Sequence, residues 1–323
     1  MLKQLKVYFI IISITLIIVI LMAIFLDRII GKKLNYLYQG WNHKGYRGDI
    51  KLEKEKNFKR IAVFGGSVVG GYGLNYKNSF PYILEQKLSS KKFDVVNLGR
   101  NGNGINGIFD DIQDYLYLDY DIAIIHNGYN DCTAKGYNLL TRNNNFFYKH
   151  FKYLPSLGVY LSEKTQLLLN KSNPRALDEY YEKKSKEFAL KYKNDPNKNF
   201  NLYMCKNLYE KKDKKLIFNE IEFIDHLNAF YIVKYKKVLD FLTKNKKNII
   251  VVVQPEYGND PRQKVQSELI IKLAKNYNNV KLIDFSKKID LNNLKISYDR
   301  IHNTKIGNEL TVNLILSNVT FSN

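Results

Sequence analysis

A serine, a histidine and an aspartate stand in this chain with the neighbours that nucleophilic acyl chemistry needs. Ser67 lies in the run Gly65-Gly66-Ser67-Val68-Val69-Gly70-Gly71-Tyr72-Gly73, directly after the apolar stretch Arg60–Phe64. Asp299 and His302 form an Asp-x-x-His pair just ahead of the last helical segment. A serine hydroxyl attacks only when a base takes its proton, and an imidazole serves best when a carboxylate fixes its tautomer. Two further segments carry hydrogen-bond donors. In Asn97-Leu98-Gly99-Arg100-Asn101-Gly102-Asn103-Gly104, Gly102 presents a backbone amide with no Cβ in the way; in Asn127-Gly128-Tyr129-Asn130-Asp131, Asn130 offers a side-chain amide. Donors of this kind stabilise a developing oxyanion, each typically by ~3–4 kcal/mol of barrier. Singly, each feature has a plainer reading. A glycine-flanked serine commonly makes a tight turn, an Asp-x-x-His is commonly a surface pair, and Asn130 and Asp131 are good helix caps.

What makes the group coherent is the set of elements that must position it. Short runs rich in β-branched residues predict strands at Arg60–Phe64, Phe93–Leu98, Asp121–His126, Asn248–Gln254 and Val280–Phe285. Amphipathic stretches predict helices at Phe80–Leu88, Ile105–Leu118, about Glu222–Thr243, around Val265–Tyr277 and at Thr304–Leu316. The strand runs are apolar and β-branched rather than alternating, as strands buried on both faces should be. Their alternation with helices predicts an α/β fold, a parallel sheet with helices on both sides. Ligands of such sheets bind at the C-terminal strand edge. Ser67, Gly102 and Asn130 each follow a strand, and Asp299 and His302 follow the fifth, so all five converge on that edge. A stretch at about 133–218 breaks the rhythm: it is rich in Tyr, Asn and Lys and predicts a mostly helical insertion. From Thr133 to Leu216, 18 Lys and Arg face 8 Asp and Glu. A solvated helical hairpin accounts for this as simply as a lid over the site. As a lid, with Phe146, Phe147, Tyr148 and Tyr153 among its lysines, it predicts a positive, aromatic-lined approach.

Composition removes several classes. The 323 residues suffice for one large core, and 6 Pro with 18 Gly exclude collagen-like or low-complexity chains. Two cysteines, Cys132 and Cys205, exclude a disulfide scaffold and a cysteine-built zinc site. The five histidines are scattered with no two at ligand spacing, so a histidine-rich metal centre is not expected. The net charge of +20 rests on 51 basic against 31 acidic residues, but only eight of the basic ones are arginine. Nucleic-acid sites lean on arginine forks, so no nucleic-acid partner is expected; an anionic membrane or glycan suits the charge equally. Gly102-Asn103-Gly104-Ile105-Asn106-Gly107 spells G-x-G-x-x-G, but the next strand ends in His126-Asn127 rather than the acid a dinucleotide site requires. Arg47-Gly48-Asp49 spells an adhesion tripeptide that chance explains. His126 reads as a strand-end residue, and Trp41 and most tyrosines as core or surface filler with sugar stacking as the alternative.

Val7–Leu26 is 20 residues without a charge, long enough to span a bilayer. A cleaved signal peptide would have a shorter apolar core and small residues at the cut, whereas Asp27 and Arg28 follow directly. Residues 1–32 are therefore read as an uncleaved single-pass anchor and 33–323 as the soluble domain. Lys3 and Lys6 on one side and Arg28, Lys32 and Lys33 on the other do not orient it, with a slight lean toward a cytoplasmic C-terminal side.

Taken in order, these blocks resemble the SGNH/GDSL hydrolases. Gly65-Gly66-Ser67 matches the first block, with Gly66 where many members carry aspartate; Asn97–Gly102, Gly128–Asn130 and Asp299–His302 match the others. The lead-in Gly45-Tyr46-Arg47-Gly48 and the exit Thr304–Asn308 also look like bacterial members. The resemblance covers roughly 41–131 and 248–319 and leaves out the insertion. It implies a flavodoxin-like three-layer sandwich and serine esterase chemistry without cofactor. It casts Ser67 as nucleophile, His302 as base, Asp299 as its orienting carboxylate, and the Gly102 amide, the Asn130 side chain and the Ser67 amide as the oxyanion hole. By the same analogy the substrate is a small acyl ester, O-acetyl on a cell-envelope or surface polysaccharide, and the domain lies outside the cytoplasm. Two rivals are an acyltransferase that passes the acyl group to a sugar hydroxyl, and an idle glycan-binding module.

Overall fold

Alternate residues of the strand Lys59–Gly65 (β1) serve two separate cores. Ile61 and Val63 enter one, Ala62 and Phe64 the other. The same division holds along Phe93–Gly99 (β2), Ile122–Asn127 (β3) and Asn248–Val253 (β4); in β4, Ile249, Val251 and Val253 face one core, Ile250 and Val252 the other. Both faces of these four strands are thus largely dry, and for that reason their sequences are apolar on both faces rather than alternating. The fifth strand, Val280–Asp284 (β5), lies at the sheet edge and carries an exposed Lys281. This computed structural model describes residues 2–37, 42–131, 146–155, 220–256 and 261–322. Most of the expected insertion at 133–218, with Cys132, Cys205 and Trp41, lies outside the described residues.

The five strands are all parallel, in the order β2-β1-β3-β4-β5. This is the doubly wound, flavodoxin-like order. The helices Phe80–Leu88 (after the short turn Ser67–Gly70) and Lys305–Asn318 pack on one face, through Phe80, Leu84, Leu88, Val312 and Ile315. The helices Ile105–Asp114, Glu220–Lys244 and Pro261–Ala274 pack on the other, through Ile105, Ile108, Ile112, Tyr231, Tyr235 and Ile270. In chain order the helices are α1 (Leu2–Leu37), α2 (Ser67–Gly70), α3 (Phe80–Leu88), α4 (Ile105–Asp114), α5 (Phe146–Phe151), α6 (Glu220–Lys244), α7 (Pro261–Ala274) and α8 (Lys305–Asn318). The chain leaves β1 toward one face and β3 toward the other, which opens a crevice between their carboxyl ends. Gly65, Gly99 and His126 lie level there, paired in register.

Two of the element ends that differ from the sequence reading have a side-chain cause. The helix expected over Ile105–Leu118 ends at Asp114 and gives way to a tight turn at Leu116–Leu118. Tyr115 leaves the helical path to bury its ring and donate its hydroxyl to the carbonyls of Gly45 (2.7 Å) and Lys44 (3.1 Å). Thr304, expected as the first helical residue of α8, is its N-cap and accepts from the Gly307 amide at 3.2 Å. At the other end of the chain, Gln4–Ile30 of α1 is long and apolar enough to cross a membrane, and among the described residues its most apolar stretch is left uncovered, whereas Asp27 near its end is buried.

Candidate active site

Ser67 opens α2 immediately after β1, and its hydroxyl reaches the crevice at the carboxyl end of the sheet. There its Oγ lies 2.8 Å from Nε2 of His302. The other ring nitrogen, Nδ1, lies 2.5 Å from Oδ2 of Asp299. A carboxylate can only accept, so the ring proton sits on Nδ1 and the Nε2 lone pair faces the serine. The Asp-x-x-His segment builds this geometry locally. Oδ1 of Asp299 accepts from the backbone amides of His302 (2.7 Å) and Ile301 (3.0 Å), which closes a turn in which Arg300 takes a left-handed φ of 67°. Burial pushes the Asp299 carboxyl up, but the charge of His302, its ring and backbone hydrogen bonds and the Ile301 amide outweigh it, and the group is held below the usual carboxylate range. Two tyrosine rings frame the imidazole. Tyr298 stacks on it at 5.8 Å between centroids and Tyr72 lies at 4.7 Å, while the Tyr298 hydroxyl donates to the Tyr72 carbonyl at 2.6 Å.

Asn130 and Gly102 approach from the neighbouring strand ends. The Asn130 side-chain amide lies against the residue before Ser67: a Cβ on Gly66 would come within 2.4 Å of its Nδ2. That crowding is a physical reason for glycine at 66. One Asn130 N–H donates to the Asn103 carbonyl at 3.3 Å, and its second hydrogen is left for another acceptor. Gly102 sits in the adjacent turn with φ of 70°, a conformation that suits glycine. Asp131 ties the Asn130 loop to the start of α4, and Asp111 braces the Gly102 loop from within α4. Asp131 accepts from the first amide of α4, that of Ile105, at 2.7 Å and from the Asn127 side chain at 3.1 Å. Arg100 and Asn103 both donate to buried Asp111, with Arg100 Nη2 2.7 Å from its Oδ1. Asp131, expected only as a local cap, therefore caps a helix 26 residues away.

Arg47 is the residue that reading along the chain missed. The Arg-Gly-Asp spelling drew attention to it and chance dismissed it, yet it is buried to 2% exposure. Its guanidinium donates to the carbonyls of Gly70 (2.5 Å), Gly71 (2.9 Å) and Leu74 (2.6 Å), the loop that follows Ser67. The available signal was scarcity: in a chain that prefers lysine so strongly, the few arginines stand where a planar fork is needed. Arg60, fully buried and paired with Asp94 at 2.9 Å, is a second case.

The remaining motifs resolve as structure. In the G-x-G-x-x-G run, a Cβ on Gly104 would meet the Asp131 carboxylate at 2.6 Å and one on Gly107 the Asn103 side chain at 1.9 Å. These glycines admit the protein's own polar groups. His126 is buried beside Phe80, and burial pushes its pKa down to about 4. Among the described residues no group of three or more His, Cys, Asp or Glu side chains is placed to hold a metal ion.

No protein-family model and no curated protein matches the chain. Among solved structures it is similar to the acetyl xylan esterase AlAXEase, at 15% identity and TM-score 0.45 over 81% of this chain and 100% of that one. It is similar also to a catalytic mutant of an acetylxylan esterase from Geobacillus stearothermophilus, at 12% identity and TM-score 0.46 over 84% and 98%. A third is TesA, at 10% identity and TM-score 0.46 over 80% and 97%.

Proposed function

We propose that this chain is a serine esterase of the SGNH/GDSL type that removes small acyl groups, O-acetyl of a cell-envelope or surface glycan being the substrate class, and that α1 anchors it in a membrane with the domain outside the cytoplasm. The observation that carries the chemistry is the unbroken relay Ser67–His302–Asp299, at 2.8 and 2.5 Å. In the first half-reaction Ser67 Oγ bonds to the ester carbonyl carbon as its proton passes to Nε2 of His302. The imidazolium so formed is stabilised by the Asp299 carboxylate, and its charge also meets the faces of Tyr298 and Tyr72. Negative charge collects on the carbonyl oxygen, where the amides of Ser67 and Gly102 and the second N–H of Asn130 serve as donors. The carbon–oxygen bond to the sugar then breaks, and His302 returns the proton to the leaving oxygen. Water, deprotonated by the same imidazole, attacks the acyl-serine; acetate leaves and Ser67 regains its proton. The glycan and the location rest on the resemblance of the sequence blocks.

Full-length protein in detergent is expected to be labelled by a fluorophosphonate probe and to release acetate from acetylated saccharides. Ser67→Ala should abolish labelling and cut turnover by about three orders of magnitude or more, His302→Ala should cut turnover similarly, and the double variant should be hardly worse. Asp299→Ala should cost less. Near-normal turnover in Ser67→Ala removes the nucleophile, and an acylated glycan product in place of acetate turns the reading to a transferase. An alkaline phosphatase fused after the C-terminus should be active if the domain is exported.

A further inference from the structure

The short helix α5 turns three phenylalanines outward. Phe146, Phe147 and Phe151 are 63%, 52% and 68% exposed, while Tyr148 between them is buried. Phe147 and Phe151, four residues apart, share a helix face, and Lys149 and Lys152 supply adjoining cations. An exposed aromatic cluster of this kind marks an interaction surface. What it meets is fixed by where it stands. Two residues beyond α5, the Tyr153 hydroxyl donates to the carboxylate of Asp27, and Asp27 lies in the last turn of the apolar span Gln4–Ile30. Tyr153 also stacks on His43 at 5.5 Å, and the Leu154 amide donates to the His43 carbonyl at 2.8 Å. Asp27 is 5% exposed, so the end of α1 is seated against the folded domain. With at most about 3.5 Å of chain per residue, Phe151 lies within about 7 Å of the residue that grips Asp27.

We infer that α5 is a second membrane contact, lying in the headgroup region where α1 leaves the bilayer, with its phenylalanines in the acyl boundary and its lysines toward anionic lipid. Aromatic rings beside cations are the composition of the bilayer interface, and a helix tied to the end of a spanning segment is held at that depth. The inference rests on the reading of α1 as an anchor. The turn Tyr76–Asn78, nine residues after Ser67, also lies against α1.

The test uses the full chain with Trp41→Phe as background, carrying Phe147→Trp or, separately, Leu16→Trp, in vesicles of phosphatidylethanolamine and phosphatidylglycerol with brominated acyl chains. The Phe147→Trp protein should lose most of its emission to lipids brominated near the headgroup, and the Leu16→Trp protein to lipids brominated near the chain ends. If Leu16→Trp is quenched and Phe147→Trp is not, α1 spans and the α5 contact is overturned. An unquenched, blue-shifted Phe147→Trp emission that is the same in detergent overturns it in favour of a protein surface, a second copy included. If neither position is quenched, the anchor itself fails and the inference with it. Phe147 is half exposed, so the substitution leaves the fold in place, which fluorophosphonate labelling of each protein checks.

Discussion

The two loops that meet at the Ser67–His302 hydrogen bond are built in opposite ways. The histidine loop holds itself. Within a few residues Asp299 accepts from the Ile301 and His302 amides and from the His302 ring, and Thr304 caps the helix that follows. The nucleophile loop, beyond its own backbone turns, is also fastened from outside. Arg47, 23 residues before Gly70, fastens three of its carbonyls, and Gly71 turns there at φ of 74° with a missing Cβ that would press on Ser79 at 2.8 Å. A self-supporting motif keeps its meaning wherever the chain is cut for reading; an externally supported one does not. The two loops should also fail differently.

Breaking the external support should have the largest effect on the folded state. Arg47→Met takes a donor from each of the Gly70, Gly71 and Leu74 carbonyls in a buried place, Gly71 keeping only the Leu74 amide, at a cost of about 3 kcal/mol. The thermal midpoint should drop and kcat should fall with it, because Ser67 loses its seating, while Arg47→Lys recovers only part of both. An unchanged midpoint and kcat in Arg47→Met would show that the loop stands without help.

Acidification separates the two sides next. His126, level with Gly65 at the nucleophile end of the sheet, has its folded pKa pushed down to about 4 from 6.5. Between those values the unfolded chain binds the proton and the folded one does not, so stability falls as pH drops from about 6.5 to about 4, by on the order of 3 kcal/mol in all. Asp299 acts with the same sign in a lower pH window. Its carboxyl is held below the usual range, so its contribution is present above the unfolded carboxylate pKa and is lost only as pH falls through the lower folded value. Urea midpoints of the parent should therefore decline between pH 6.5 and 4, and those of His126→Gln should decline less. Equal slopes would return the acid sensitivity to other groups.

The smallest effect belongs to the self-supporting loop. Thr304→Ala removes one cap of α8 and should cost ~1 kcal/mol in the unfolding midpoint, with kcat nearly unchanged because Asp299 still closes its own turn. A large fall in kcat would show that the histidine loop, too, depends on its surroundings.

What the sequence determined by itself is whatever depends on near neighbours. Period and branching placed the five strands to within a residue or so, since a strand dry on both faces must be apolar at each position, as Ile61–Phe64 are. The Asp299-x-x-His302 spacing already contains its turn, and Val7–Leu26 contains its own length requirement. Tertiary structure alone decided the rest. That β1 lies between β2 and β3, so that Ser67 and Asn130 share one crevice, follows from the packing of helices on opposite faces. That Arg47 seats the nucleophile loop, that Asp131 caps α4, and that Tyr153 ties Asp27 to the domain all depend on contacts 23 to 126 residues apart, which no local pattern encodes. A buried polar group must find a partner, but the chain decides which partner only by folding.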